Sequence, residues 1–324
     1  MKTEPDMLGT MPMGKLIARM SIPLMVSMLI QSMYNIVDSI FVSKLGQEAI
    51  SAMGIAFPVQ MLMIALANGL GVGMNALISQ RFGRGQTRDA ARAAGNTLCL
   101  SAVLTLVFMI FGYFGTEAYF KACATDPKII AFGVDYLRIV CIGCVGIFFV
   151  IMSERLLQVT GKTALSMTTQ LSGAVINIIL DPILIFGLFG FPKLGIAGAA
   201  IATVVGQIFA AIFGYILHLI YNHSLQLHCS DLRISRDILT IVQVGLPASV
   251  TMAMGSISTF GINKILQASV VSVSVVTVFF RLQSFLFMPL QGMMQGLIPI
   301  IGFNYGAKSG KRLQEAIHIG VKVS

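Results

Sequence analysis

Eight apolar stretches, each long enough to cross a bilayer as a helix, dominate this 324-residue chain. They run over residues 17–42, 50–79, 91–113, 130–157, 164–188, 196–220, 238–265 and 270–301. A spanning helix needs about 20 mostly apolar residues, and hydrocarbon offers no partner for an unpaired backbone amide. The fold class is therefore an all-α integral membrane bundle. Charged residues make up 11% of the chain and mean hydropathy is +0.85, where a soluble domain carries roughly a quarter charged residues. Short connections such as "KLGQE", "RFGRGQTRD" and "GFPKLG" separate the runs. A ninth helix is expected to begin near Ala316, shortly before the chain stops at Ser324.

The net charge of +9 does not point to nucleic acid, because most basic residues lie in short loops between apolar runs. Arg81, Arg84, Arg88, Arg92, Arg155 and Arg312 fall on one side with Lys2, Lys15 and Arg19, against Lys44, Lys121, Lys128 and Lys193 on the other. The positive-inside rule then places the N-terminus in the cytoplasm and the chain as a multi-pass protein of the cytoplasmic (inner) membrane. The first apolar run is too long for a signal peptide and no small-residue cleavage site follows it. Five scattered cysteines make no disulfide framework. Cys141-x-x-Cys144 is read as mid-helix packing, not redox chemistry.

The chain also repeats itself. "NGLGVGMNALISQRFGRG" (residues 68–85) resembles "QGMMQGLIPIIGFNYGAK" (residues 291–308), with Gly69, Gly73, Ile78 and Gly83 aligning with Gly292, Gly296, Ile301 and Gly306. "SIP" at 21–23 pairs with "GLP" at 245–247, one residue out of step. The copies fall on the second and eighth helices and so point the same way, a parallel repeat about the membrane normal. The expected organisation is a complete six-helix lobe (1–220), a cytoplasmic linker (221–237) and a partial second lobe (238–324) holding helices seven, eight and the start of nine. A full second lobe would take on the order of 100 further residues at bilayer length.

Two carboxylates lie at membrane depth, Asp38 and Asp181. A central Asp costs about 2.5–3.5 kcal/mol even on generous scales, so such residues are functional candidates. Ser27, Gln31, Tyr34 and Asp38 recur at helical spacing on the first helix, as do Ser166, Gln170, Asn177 and Asp181 on the fifth. Each helix thus carries one polar stripe, which belongs in the bundle interior. Both helices run outward, which places the two aspartates at similar depth in one cavity. The bland alternative is that each is an interfacial residue bonded to a helix end. Pro182 removes the helical partner of the Ile178 carbonyl, marking a hinge and an extra acceptor beside Asn177 and Asp181.

Weaker signals have ordinary readings. Gly69-x-Gly71-x-Gly73 lacks a preceding strand and reads as helix packing. "TGKT" (160–163) lacks the upstream glycine of a P-loop, so any pumping draws on an ion gradient. His218, His223 and His228 do not share a helical face and read as solvated or interfacial, not as a metal site. Lys264 can snorkel, whereas Arg281 is a candidate for the cavity wall. Glu154 and Arg155 read as a solvated cytoplasmic turn, and Met288, Met293 and Met294 as core filling or an adaptable surface.

Four segments together resemble the multidrug and toxic compound extrusion (MATE) family: "SIPLMVSMLIQSMYNIVDSIFVSKLG" (21–46), "NIILDPILIFG" (177–187), "GIAGAAIATVVGQ" (195–207) and "RLQSFLFMPLQGMMQGLIPIIGFNYGAK" (281–308). The last is most similar to the bacterial branch with staphylococcal-type exporters. The resemblance covers essentially the whole chain. It implies twelve helices in two lobes, about eight of them present here, alternating between inward and outward openings. It also implies export of cationic or amphipathic drugs against proton or sodium entry, by a monomer, with no enzyme activity, metal or cofactor beyond the coupling ion. In proton-linked members the first-lobe site matches Asp38, Asn177 and Asp181, with Tyr136 and Thr203 as partners and Pro23 as the bending proline. Gln31, Tyr34, Gln170 and Arg281 are the candidates for the substrate cavity, and Pro23 and Pro182 for the hinges. Sodium-linked members of another branch carry a glutamate on the seventh helix, and "GLPASVTMAMGSIS" has no acid there. A flippase for lipid-linked sugars shares the architecture and is the alternative function; it calls for a more basic cavity, which only Arg281 hints at. An intramembrane aspartyl protease would need a Tyr-Asp or Gly-x-Gly-Asp pattern, whereas the chain has "IVDS" and "ILDP". A seven-helix receptor fits neither the helix count nor the repeat.

Overall fold

A computed structural model describes residues 4–227, 235, 237–266 and 270–323. The described residues form twelve α-helices: α1 (Glu4–Thr10), α2 (Met13–Ser43), α3 (Gln47–Gly83), α4 (Thr87–Phe114), α5 (Thr116–Cys123), α6 (Pro127–Ile142), α7 (Val145–Val159), α8 (Thr163–Phe186), α9 (Ile196–Tyr221), α10 (Asp237–Leu266), α11 (Val270–Gly306) and α12 (Gly310–Val323). The first seven apolar runs correspond to α2, α3, α4, the pair α6 and α7, α8, α9 and α10, and the eighth to α11. Among the described residues, α2, α3, α4, α8, α9 and the first part of α10 are long and apolar enough to cross a membrane, with α6 and α7 as one bent span. The short helices α1 and α5 were not legible as spans, and α12 starts at Gly310, earlier than expected.

Helix boundaries follow local chemistry. Asp126 caps α6 by accepting from the Lys128 backbone N–H at 2.8 Å, with Pro127 pre-set for the first turn. Gly187 ends α8 at φ 74°, its amide donating to the Ile183 carbonyl at 3.0 Å. Pro23 and Pro182 both sit inside helices, and α8 remains one helix through Pro182 to Phe186. The sharp break falls elsewhere: α6 and α7 meet at a 43° bend. Cys141 and Cys144 flank this break and are not mid-helix, as the sequence reading had placed them. Both are buried free thiols, which keeps their packing role. Gly143, between them, lies so close to Val204 of α9 that a Cβ would collide with it.

α3 packs along α10 and α2 along α11, so the first two helices of each repeat exchange partners across the molecule. The repeated glycines make this possible. A Cβ at Gly69 would meet the Gly245 carbonyl and Ser249 of α10, while one at Gly292 would meet the Leu24 backbone of α2. At the far end of the same helices, a Cβ on Gly83 would strike the Phe303 carbonyl and one on Gly306 the Gln80 carbonyl. Backbones this close require glycine and gain dispersion contacts, the means of association where lipid removes the hydrophobic drive between helices. The reading of Gly69-x-Gly71-x-Gly73 as packing holds.

A clasp closes the same end. Arg81 donates to both carboxylate oxygens of Asp237 (Nη2–Oδ1 2.5 Å, Nη1–Oδ2 2.9 Å) and to the Asp89 carbonyl. Asn96 adds a bond to Ser235 at 2.7 Å. On the neighbouring side Arg312 of α12 donates to the Met11 carbonyl at 2.7 Å and to the Leu8 carbonyl at 3.2 Å, tying α1 to α12.

Candidate functional site

The two polar stripes meet. On α8, Leu171, Val175 and Ile179 are exposed at intervals of one helical turn, while Ser166, Asn177 and Asp181 on the other side are buried. α2 packs against α8, and the carboxyl groups of Asp38 and Asp181 come within hydrogen-bonding reach of each other. Asp181 is fully buried and Asp38 half-buried; each keeps one oxygen, Oδ1, buried without a hydrogen-bond partner.

Asn177 bridges to the neighbouring helix. Oriented by its surroundings, its amide donates to Asp181 Oδ2 at 2.8 Å and its carbonyl oxygen accepts from Thr203 Oγ1 at 3.2 Å and from the Thr203 backbone N–H at 3.0 Å. Tyr34 of α2 is within hydrogen-bonding reach of Thr203. Tyr136 of α6 is buried beside both aspartates, and its hydroxyl accepts from Gln60 Nε2 at 3.0 Å. Asp38, Asn177, Asp181, Tyr136 and Thr203 are thus one cluster, and Tyr34, assigned to the substrate cavity, belongs to it as well. Gln60 was missed. Its helix carries no other polar group near it that would have marked a stripe.

Two to three turns further along, Gln170 Nε2 donates to Gln31 Oε1 at 2.9 Å, and Ser27 bonds Gln170. Gln158 Nε2 donates to Ser166 at 2.9 Å. The polar column therefore continues from Asp38 and Asp181 down to Ser27, Ser166 and Gln158, all three of which are buried. Arg281, the remaining cavity candidate, and Lys264 have side chains outside the described residues, as do His228 and Cys229.

Two readings are corrected. Arg155 is not in a solvated turn. It is 3% exposed, and its guanidinium donates to Gln158 (2.7 Å), Gln295 of α11 (2.8 Å) and Asn68 of α3 (2.8 Å). Glu154, its neighbour, is half-buried inside α7. The cause is packing: α7 is enclosed by α3, α4, α8 and α9, so its last turns never reach solvent. His218 is buried, not solvated, because Asn222 ties the end of α9 to α7 by bonding both the His218 ring (3.0 Å) and the Leu156 carbonyl (3.0 Å). Of the methionines, Met293 is core, whereas Met294 is 62% exposed.

Chemically, two carboxyl groups facing each other in a low-dielectric interior repel when both are ionised. A proton or a small cation between them relieves that repulsion, and Asn177, Thr203 and the two tyrosines supply the neighbouring dipoles. Among the described residues, no group of three or more His, Cys, Asp or Glu is arranged to hold a metal ion.

The sequence profile of the MatE family matches residues 23–183 and 247–324. The chain is 27% identical over 318 residues to a protein named FAD transporter in Shewanella oneidensis, covering 96% of this chain and 69% of that protein. It is 28% identical over 313 residues to the probable multidrug resistance protein YoeA of Bacillus subtilis, covering 93% and 66%. A solved outward-facing conformation of a multidrug resistance MATE family transporter of the MOP superfamily superimposes with a TM-score of 0.92 at 30% identity, covering all of this chain and 71% of that one. The chain thus spans about two thirds of the length of the curated relatives it matches.

Proposed function

The chain belongs to the MatE family of transporters, which are not enzymes, and on that premise we propose that it is the coupling-ion half of an ion-driven exporter of cationic or amphipathic compounds. The observation that carries this reading is the Asp38–Asp181 pair, gathered with Asn177, Tyr34, Tyr136 and Thr203 among otherwise apolar helices. Protons, or sodium ions, enter at this pair and drive export. Placing the clasped end in the cytoplasm, as the loop charges direct, makes this the outward-facing arrangement. Pro182 adjoins Asp181 in α8, whereas Pro23 lies four turns before Asp38 in α2, where a bend would swing the helix that carries it.

The test uses the complete protein in vesicles, with a proton or a sodium gradient imposed separately. Gradient-driven ethidium transport is expected in wild type and lost in Asp38→Asn and in Asp181→Asn. Unchanged transport in both variants would mean that the pair is structural.

A second reading is an anionic cargo, such as a dinucleotide or a lipid-linked sugar phosphate. The name of the Shewanella relative and the buried Arg155 favour it. The contacts of Arg155 weigh against it, since three amide oxygens already accept from its guanidinium. Extraction of labelled lipid from vesicles separates the two readings.

A further inference from the structure

The helix α1 cannot stand alone. It has seven residues, and an isolated helix shorter than about 12–15 residues is marginal in water. Pro12, just beyond its end, has no N–H, so the Leu8 carbonyl lacks its helical partner. The second half of the molecule supplies what is missing. Arg312 Nη2 donates to the Met11 carbonyl at 2.7 Å and to the Leu8 carbonyl at 3.2 Å, and Asn304 Nδ2 donates to the Leu8 carbonyl at 3.4 Å. The Leu8 side chain is fully buried. Gly9 lies against the Phe303 ring of α11, where a Cβ would come within 3.2 Å of it. Met7 meets the first lobe instead, its terminal methyl lying against Gly161 in the turn between α7 and α8. α1 therefore reaches from one lobe to the other across the clasped end.

The internal repeat reveals the counterpart of this contact. At the spacing that pairs Gly83 with Gly306, Arg81 pairs with Asn304 and Asp89 with Arg312. In both halves these two positions bond each other: Arg81 donates to the Asp89 carbonyl, and Arg312 Nε donates to Asn304 Oδ1 at 3.2 Å. In both halves they also reach the start of the opposite half's first long helix. Arg81 takes Asp237, the first residue of α10, while Arg312 takes Leu8 and Met11, just ahead of α2. The first clasp closes on a carboxylate and the second on backbone carbonyls. The end of α1 thus stands where Asp237 stands in the other clasp.

Opening the cytoplasmic end has to part Gly83 from Phe303 and Gly306 from Gln80. Phe303 and Asn304 are neighbours on α11, so that movement withdraws the ring and the donors that hold α1. The helix is left with an unpartnered Leu8 carbonyl and an uncovered Leu8 side chain, which so few residues cannot offset.

We propose that α1 is a strap across the cytoplasmic end, ordered only while that end is closed, which Arg312 and Asn304 hold in place and which must come free before the lobes part there. The exporter reading is its premise, since a molecule that opens at each end in turn needs such a release. The closed end then has two locks of different kinds, one an ion pair and the other a folded helix.

The experiment uses the purified complete protein in lipid nanodiscs, with spin labels at Arg88 and Lys311 and hydrogen exchange followed over residues 7–12. Neither readout depends on transport. Arg312→Met removes the donor, and deletion of residues 4–10 removes the strap. Each is expected to raise the ratio of open to closed cytoplasmic ends about tenfold, through the loss of hydrogen bonds from a charged group. Combined, they should do no more than either alone, because they cut one link. Asp237→Asn added to either should multiply its effect. Exchange over residues 7–12 should be slow in wild type and should quicken with the open population in Arg312→Met and in Asp237→Asn. A merely structural α1 would not respond to Asp237→Asn, because Asp237 makes its bonds to Arg81, Asn96 and Ser235. Unchanged distances in both single variants, effects that multiply between them, or exchange indifferent to Asp237→Asn would overturn the strap. If the shortened protein does not fold, Arg312→Met and the exchange measurement decide. Failure of the strap with ethidium transport still lost in Asp38→Asn and Asp181→Asn leaves the exporter reading intact. Transport retained in both of those variants removes the coupling role of the pair and leaves the distances to judge the strap.

Discussion

The Arg81–Asp237 clasp gives a population prediction that follows from geometry. It joins α3 of the first repeat to α10 of the second, at the end where Gly83 and Gly306 also bring backbones together. Opening that end must break it. At an effective dielectric of about 20, two unit charges roughly 3 Å apart attract by about 5 kcal/mol. Desolvation and side-chain ordering offset much of this, since an exposed pair nets about 0–1 kcal/mol. The side chains are 16% and 23% exposed and share two hydrogen bonds, and hydrogen bonds to charged groups contribute about 1.5–3 kcal/mol. A net value of about 2 kcal/mol is a factor of roughly 30 in the equilibrium between closed and open cytoplasmic ends. A population of about one open molecule in a hundred becomes roughly one in four. Asp237→Asn and Arg81→Gln should each produce this shift, and the double variant should add little to either. Spin labels at Arg88 and Lys311, both exposed at that end, read it out as a longer distance by double electron–electron resonance. Unaltered distance distributions in both single variants, or additive effects in the double, would refute the reasoning.

Other positions give shorter tests. Gly306→Val places a branched side chain against the Gln80 carbonyl, so the Arg88–Lys311 distance should lengthen even with the clasp intact. Arg155→Met leaves the oxygens of Asn68, Gln158 and Gln295 without their donor; a loss of about 2 kcal/mol is expected, read as a Tm lower by several degrees. Gln60→Leu removes the donor to Tyr136 and should slow ion-driven exchange while leaving ethidium Kd unchanged. On the exposed helix α5, the hydrogen bond and charge of Lys121 hold Glu117 below its ordinary value of 4.5. The support this pair gives α5 is then fully present above about pH 4.5 and lost as acid carries the pH down through the lowered folded value. Carboxyl NMR titration checks it, with Lys121→Met abolishing the shift.

The glycines aligned in the sequence, Gly69 with Gly292 and Gly83 with Gly306, turned out to be the points where each half's second helix meets the other half. The pairing was visible because a backbone contact admits no side chain and so leaves a residue-type signature. The coupling cluster was legible for a related reason: polar residues at helical spacing on an apolar helix have only one place to go. Asp38, Asn177 and Asp181 could be put together before any coordinates. Glu154, Arg155, Gln60 and His218 could not. Glu154 and Arg155 fall near a helix end, where charge is ordinary, and nothing in their spacing tells an enclosed helix from a solvated one.

By itself, then, the sequence determined the long apolar spans, the repeat and the polar stripes, because lipid forces each apolar run into a helix and each intramembrane charge inward. What only the tertiary structure decided was which helix is enclosed. That depends on the 43° break between α6 and α7 and on neighbours far away in the chain. Burial is a property of the assembled bundle, and it alone turned a surface turn in the sequence reading into a buried cation beside a half-buried carboxylate.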